Sequence, residues 1–443
     1  MAPLLALLTP QVITLAVLVM VVVALIWDKV RSDIVALTGA AVLLMAGVVR
    51  PIQVQSAFAS PAIVTLASLF VIAYAMELSG LLDAGIRGLV ALCRRIGGVG
   101  LWIVIGISGA ASAVLNNTPI VVLSAPVVLE AAKSLRLPPK RYLMPLSHAA
   151  VLGGCCTLIG TSTNLLVNDM AAVAGQPKFG IFEITPVGLA LALAGGLYLL
   201  LFSGRLINTA ETTPATSEDA IEASEQVGLT AGQVGSPAAF ARNRPLRPLK
   251  AAASLLVFVA VIALAALNVA PIAACALAGA VLLILVGVIT ADEAYSGLRA
   301  DVLMLIAGML VLGIALRVSG VAGTATEWLV GTLQGLSPVL ALILVYGATL
   351  FATELLSNAT VAVLFTPVAV SLAEALHVSP RPFLVAVMIA GSAAFATPFG
   401  YQTNVLVYQI GRYNYLDFVK VGLPLNLITW AAAVIAITIF FPF

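Results

Sequence analysis

Two short polar clusters interrupt otherwise apolar stretches: Asn116-Asn117-Thr118-Pro119 within residues 99–132, and Ser357-Asn358-Ala359-Thr360 within 338–376. Longer polar runs follow each of them. Gly160-Thr161-Ser162-Thr163-Asn164 lies within 143–173, and Thr397-Pro398-Phe399-Gly400-Tyr401-Gln402-Thr403-Asn404 within 383–410. Amide, hydroxyl and carbonyl oxygens at such places are hard neutral ligands that suit a sodium ion. Helix N-termini beside them offer aligned N–H groups and a positive dipole end to an anion. Pro398 cannot continue a helical hydrogen-bond ladder, and Gly400 permits backbone angles that a helix forbids, so the runs read as breaks.

The elements that hold these groups must lie in lipid. Of 443 residues, 62% are hydrophobic and only 9% charged, and the mean hydropathy is +1.14. A soluble fold needs about a quarter of its residues charged to cover its surface, so this chain reads as an all-α polytopic membrane protein. The net charge of +2 is too small for nucleic-acid binding. Spans are expected at 11–27, 34–49, 61–82, 143–173, 183–203, 251–269, 272–289, 302–318, 383–410 and 424–441. The two interrupted stretches, 99–132 and 338–376, read as re-entrant helical hairpins with the polar clusters at their tips. Backbone groups need partners in hydrocarbon, so a break at that depth survives where it lines a site.

Residues 1–10 lack a basic leader region, and the N-terminus reads as a first span that is retained. Residues 205–250, acidic at first and basic at the end, read as a cytoplasmic linker between domains 1–204 and 251–443. Four cysteines suggest neither a disulfide framework nor a zinc site: Cys93 is beside a basic loop, and the pair Cys155 and Cys156 reads as helix packing.

A shift of about 240 residues lays one half on the other. Ser56 falls on Ser296, Ser79-Gly80 on Ser319-Gly320, Thr157 on Thr397, Gly160 on Gly400, and Thr163-Asn164 on Thr403-Asn404. At the hairpins Asn117 falls on Asn358, Pro126 on Pro367 and Pro139 on Pro380. An odd number of spans per half requires the halves to run oppositely. The positive charges agree: if the first hairpin enters from the cytoplasm, all of the 21 lysines and arginines lie inside except Arg50, Lys178, Arg317 and Arg381. Two inverted-topology repeats with broken helices are a transporter architecture.

The doubled tip signature, followed by a broken helix with a Gly-Thr-x-x-Asn element in the first half and Gly-Tyr-Gln-Thr-Asn in the second, resembles the divalent anion/sodium symporters, within the ion-transporter superfamily that has the citrate-transporter-like fold. The resemblance covers nearly the whole chain except 205–250. It implies a homodimer with a scaffold domain at the interface and a transport domain that moves as an elevator. It also implies a first sodium site at Ser112, Asn116, Asn117 and carbonyls near Cys156, and a second at Thr353, Ser357, Asn358 and the carbonyl of Ala396. Substrate would lie near Asn117, Thr118, Asn358, Thr397 and Pro398. The tips depart from the family pattern in carrying threonine once, at Thr118, with Ala359 opposite and Thr360 as the substitute. That favours a compact anion such as sulfate over a four-carbon dicarboxylate.

Other residues have plainer accounts. Glu354, beside the second tip, either tunes cation binding or faces water at the outer end of the hairpin. Glu77 and Arg317 read as snorkelling at span ends, and His148 as a packing histidine rather than a proton carrier. With no Gly-x-Ser-x-Gly or His-Glu-x-x-His element, an enzyme is not expected. The reading is therefore sodium-coupled symport of a divalent anion, sulfate or a small dicarboxylate, across the inner (plasma) membrane. Sodium is a coupling ion, and no cofactor is expected. The alternative is an antiporter of the same superfamily, for sodium/proton exchange or arsenite efflux.

Overall fold

The computed structural model describes residues 9–443 apart from 28–29, 82–83, 85–95, 208–244, 268, 322–323, 325–336 and 399. Cys93, Phe399, Arg94, Arg95 and most of the expected linker lie outside the described residues. Every regular element described is a helix. The first half contains α1 (Pro10–Trp27), α2 (Ser32–Met45), α3 (Pro51–Phe58) and α4 (Pro61–Leu78). Its hairpin is α5 (Gly98–Ser112) and α6 (Asn117–Ser134), and its broken helix is α7 (Lys140–Gly154) and α8 (Ser162–Val173). It ends with α9 (Thr185–Tyr198), continued by a π turn over Leu199–Ser203.

The second half repeats the order. It has α10 (Pro248–Ala266), α11 (Ile272–Leu285), α12 (Ala291–Ser296) and α13 (Ala300–Val318). The hairpin α14 (Pro338–Thr353) and α15 (Asn358–Ala375) follows, then α16 (Arg381–Ala390), α17 (Gln402–Gly411) and α18 (Tyr415–Phe440).

Local backbone conformation recurs between the halves. Gly47 and Gly287 take φ of 74° and 73°, and Arg136 and His377 take 56° and 55°. The two glycines, in the left-handed region that ends helices, explain a difference from the sequence reading. The spans expected at 34–49 and 272–289 stop at Met45 and Leu285, and the chain enters the short helices α3 and α12, which hydropathy did not reveal. Their starts are capped alike: the Arg50 N–H donates to Gln53 Oε1 at 2.8 Å, and the Thr290 N–H to Glu293 Oε2 at 2.8 Å. The last span, expected at 424–441, is longer. It starts at Tyr415 behind Asn414, whose N–H donates to Asp417, and runs through Pro424.

Packing between the halves is reciprocal. α2 lies along α13 as α11 lies along α4, and α8 lies against α15 as α17 lies against α6. α9 meets its counterpart α18. At the centre, α16 is buried from Pro382 to Ala390 and α7 is buried over most of its length. Among the described residues, six stretches are long and apolar enough to cross a membrane unaided: Pro51–Leu78, Thr185–Leu206, Pro248–Ala265, Ala300–Val318, Asn358–Ala375 and Tyr415–Phe440. Apolar helices of 10–17 residues, among them α5, α14 and α16, supply the shorter pieces that hairpins and broken helices are made from. The chain is a multi-pass membrane protein.

Candidate functional site

Each hairpin tip is closed by the same local chemistry. The residue before its second arm caps that arm: Asn116 Oδ1 accepts from the Thr118 N–H at 3.5 Å, and Ser357 Oγ from the Thr360 N–H at 3.2 Å. The end of the first arm then reaches the asparagine that opens the second. The Ser112 hydroxyl donates to Asn117 Oδ1, and Thr353 Oγ1 donates to Asn358 Oδ1 at 2.9 Å.

The breaks, residues 155–161 and 391–401, are stitched in parallel ways. Thr157 Oγ1 donates to the Ala113 carbonyl and Thr397 Oγ1 to the Glu354 carbonyl, so each break is tied to its own hairpin. Asn164 Nδ2 donates to the Thr157 carbonyl at 2.9 Å, and Asn404 Nδ2 to the Thr397 carbonyl at 3.2 Å, each stapling a loop shut. A glycine from the following helix presses on each break. A Cβ at Gly188 of α9 would stand 2.4 Å from the Cys155 carbonyl oxygen, and one at Gly422 of α18 would stand 1.9 Å from that of Phe395.

The second break joins the two tips. At one end, Tyr401 and Gln402 reach the first tip: Asn117 Nδ2 donates to the Tyr401 hydroxyl at 2.8 Å, and Thr118 Oγ1 to Gln402 Oε1 at 3.3 Å. At the other end, Thr353 of the second hairpin shares its one hydroxyl proton between Asn358 Oδ1 and the Gly391 carbonyl, each 2.9 Å away. Between them, Glu354 takes up the backbone. Its carboxylate accepts from the N–H groups of Phe395, Ala396 and Thr397 at 2.9, 2.8 and 2.9 Å, and from Asn426 Nδ2 at 2.7 Å.

Of the residues singled out in the sequence, Ser112 and Asn117 come together with no exposed surface, as do Thr353 and Asn358, the latter half-buried. Asn116 and Ser357 serve as helix caps. The Cys156 carbonyl accepts from Thr185 Oγ1 at 2.7 Å and so is engaged by the turn that opens α9. Ala396 is pinned through its N–H, Thr397 through its N–H and hydroxyl, and Pro398 is buried beside them. Thr118 is half-buried, whereas Thr360 is 1% exposed and its hydroxyl lies 2.7 Å from Ser357 Oγ. Glu354 does not face water: it is buried, and its carboxylate holds the break. His148 is fully buried, edge-on to Phe395 and Phe418 at 5.3 and 5.9 Å between ring centroids. Glu77 is buried and Arg317 exposed.

The sequence reading missed Tyr401, Gln402 and Asn426 as parts of the site. The first two stood inside the quoted Gly-Tyr-Gln-Thr-Asn element. Asn426 is a lone amide in the apolar run of α18, and that polarity is its signal in the sequence. A further contact also escaped it: Ser60, before α4, donates to Asp169 of α8, whose other oxygen lies 3.6 Å from Lys178 Nζ. A cavity of about 210 Å³ opens beside them between α3, α8 and α13.

Comparison with known proteins agrees with this architecture. An uncharacterized transporter of Synechocystis is 25% identical, covering 94% of this chain and 95% of that one. Sodium/sulfate cotransporter 1 of Chlamydomonas reinhardtii is 35% identical over 151 residues, which is 34% of this chain and 17% of that one. Among solved structures, the YdaH transporter of Alcanivorax borkumensis superposes with a TM-score of 0.57 at 14% identity, over 87% of this chain and 86% of that one. MtrF of Neisseria gonorrhoeae gives 0.57 at 15% identity, over 98% and 95%. At such identities these two show a shared fold alone. The profile described as citrate transporter matches residues 22–377 and 342–443, nearly all of the chain that folds around the two tips, and the chain belongs to the citrate transporter family.

Proposed function

We propose that this transporter couples sodium to the uptake of a divalent oxyanion, sulfate ahead of a dicarboxylate, across the inner (plasma) membrane. The observation that carries the reading is that both tips converge on one broken segment, residues 391–401, through Asn117–Tyr401 and Thr353–Gly391. Neutral oxygens cluster there with helix N-termini, the pairing that a cation and an anion bound together require. Sodium ions bind at Ser112, Asn116 and Asn117 with carbonyls near Cys156, and at Thr353, Ser357 and Asn358 with the Ala396 carbonyl. The anion binds between the tips, at Asn117, Thr118, Asn358, Thr397 and Pro398, joined by Tyr401 and Gln402, with Thr360 held apart by its buried contact to Ser357. Asn117 already donates to the Tyr401 oxygen, which frees the phenol proton for an acceptor-only anion. A single threonine at the tips suits a compact anion. The local likeness to the Chlamydomonas cotransporter is independent support for sodium and sulfate.

In this reading the protein is a homodimer with its linker in the cytoplasm. α1–α4 and α10–α13 form a scaffold, and the remaining helices move against it. Val114 and Leu115 at the first tip pack on the cluster made by α4, α10 and α11, whereas Leu355, the counterpart of Val114, is 85% exposed. Movement of the core exchanges which tip rests on the scaffold.

The test is uptake of radiolabelled sulfate and succinate into proteoliposomes with and without an inward sodium gradient. Sulfate uptake that requires sodium is expected. Sodium-independent movement, or export driven by a proton gradient, would replace this reading with the antiporter one.

A further inference from the structure

Beside the hairpin tips the two halves differ in charge at a matched place. Glu354 corresponds to Ala113. Both lend a backbone carbonyl to the threonine of the following break, so the main-chain role is shared. The side-chain role is not. Glu354 is 8% exposed, and its carboxylate accepts from three N–H groups and the Asn426 amide, while the Thr397 hydroxyl shares its one proton between Oε2 and the Glu354 carbonyl. That is the donor pattern of a carboxylate, and every one of these donors is neutral. In the first half, two of the matching N–H groups close ordinary turns. Cys155 donates to the Val151 carbonyl at 3.2 Å and Cys156 to that of Gly153 at 2.9 Å. One break is folded around a full negative charge, and its counterpart is neutral.

Two consequences bear on the neighbouring cation ligands. First, a peptide unit is planar and trans, so its C=O points opposite to its N–H. The Thr397 N–H is held by Glu354 Oε2 at 2.9 Å, which aims the Ala396 carbonyl away from the carboxylate and makes it available as a ligand. Second, neutral dipoles solvate a charge without cancelling it, and its field persists over several ångströms in a poorly polarisable interior. Thr353, bonded to Asn358, is the residue next to Glu354.

We infer that Glu354 is the positioning residue and fixed counter-charge of the second cation site, and that it makes this the tighter of two unequal sites. The inference rests on the sodium-coupled reading given above. In the purified full-length protein, the melting temperature is followed against sodium chloride, with choline chloride holding ionic strength constant. The melting temperature of the wild-type protein is expected to rise with two separate onsets (steps), one near each site's Kd, because a ligand that binds the folded state stabilises it by the logarithm of its concentration once that exceeds Kd. Glu354→Gln, which keeps the shape and removes the charge, is expected to move the low-concentration step up by about ten-fold or more. Glu354→Asp keeps the charge and shortens the clamp, so it is expected to melt earlier while retaining both steps.

A wild-type response to sodium that Glu354→Gln leaves unmoved overturns the inference and spares the sodium reading. Equal displacement of the step by Gln and Asp overturns it too, because that marks a role in packing alone. A wild-type protein that responds to sodium no more than to choline removes the sodium reading and this inference with it. If Glu354→Gln yields no folded protein, Glu354→Asp decides: two steps support the inference and one overturns it.

Discussion

In the first hairpin the tip asparagine, Asn117, has no exposed surface and its amide reaches across to Tyr401 of the other half. In the second, Asn358 is half-buried beside Ser357, which is exposed. The position matched to Tyr401 is Thr161, a side chain too short for the same reach; its hydroxyl meets Ser392 Oγ at 3.2 Å instead. The arms, the caps and the bond from the first arm to the asparagine are alike in both, because each is made within about five residues of chain and follows from duplicated sequence. What differs is whatever comes from far away. Duplication supplied two copies of one local solution, and the tertiary surroundings have made one copy covered and the other open.

The comparison can be broken most severely at the glycines that press on the two breaks. Gly422→Val would drive a side chain into the Phe395 backbone, at a cost above the usual overpacking range of about 1–3 kcal/mol. Loss of monodisperse protein after detergent extraction is expected, with Gly188→Val milder. Next in size are Asn117→Ala and Asn358→Ala. Each is expected to abolish uptake while the protein still inserts and runs as a folded species in gel filtration. Transport that survives in either would remove that tip from the site.

Tyr401→Phe sharpens the comparison because it acts on one tip only. It leaves the Asn117 amide without its partner, a loss of about 1–3 kcal/mol. A rise of about ten-fold in the KM for the anion is expected, with a small fall in melting temperature, whereas Thr161→Ala should leave KM near wild type. The threonines divide similarly. Thr118→Ala should weaken anion uptake several-fold, whereas Thr360→Ala, at a buried hydroxyl beside Ser357, should cost stability of about 1 kcal/mol and spare KM. The smallest effect is expected at Gly196→Ala, where an added Cβ meets nothing within 4 Å and the melting temperature should stay put.

Much of this arrangement is legible in the order of the residues. The hairpins at 99–132 and 338–376 appear as Gly98–Ser134 and Pro338–Ala375 with their turns at the polar clusters, because an uncompensated amide in lipid marks its own position. The breaks at Gly160 and Pro398 follow from glycine and proline chemistry. Less legible are the short helices α3 and α12, whose six to eight residues carry no usable periodicity, and the start of α18, where Pro424 sits inside a helix rather than at its edge. Pro424 misleads because the proline rule describes an average cost, and a long packed helix can absorb it.

The sequence alone determined that the chain lives in lipid, that it is doubled, and where its backbone breaks, since composition, repetition and the proline and glycine rules act over short stretches. The pairing of one half with the other was decided only in three dimensions. Glu354 meets N–H groups 41 to 43 residues further on and an amide 72 residues away, and Asn117 meets a tyrosine 284 residues away. No local preference encodes such distances. They follow from packing α7 and α16 at the centre, which brings the second break against both tips and gives a buried carboxylate neutral donors enough to remain there.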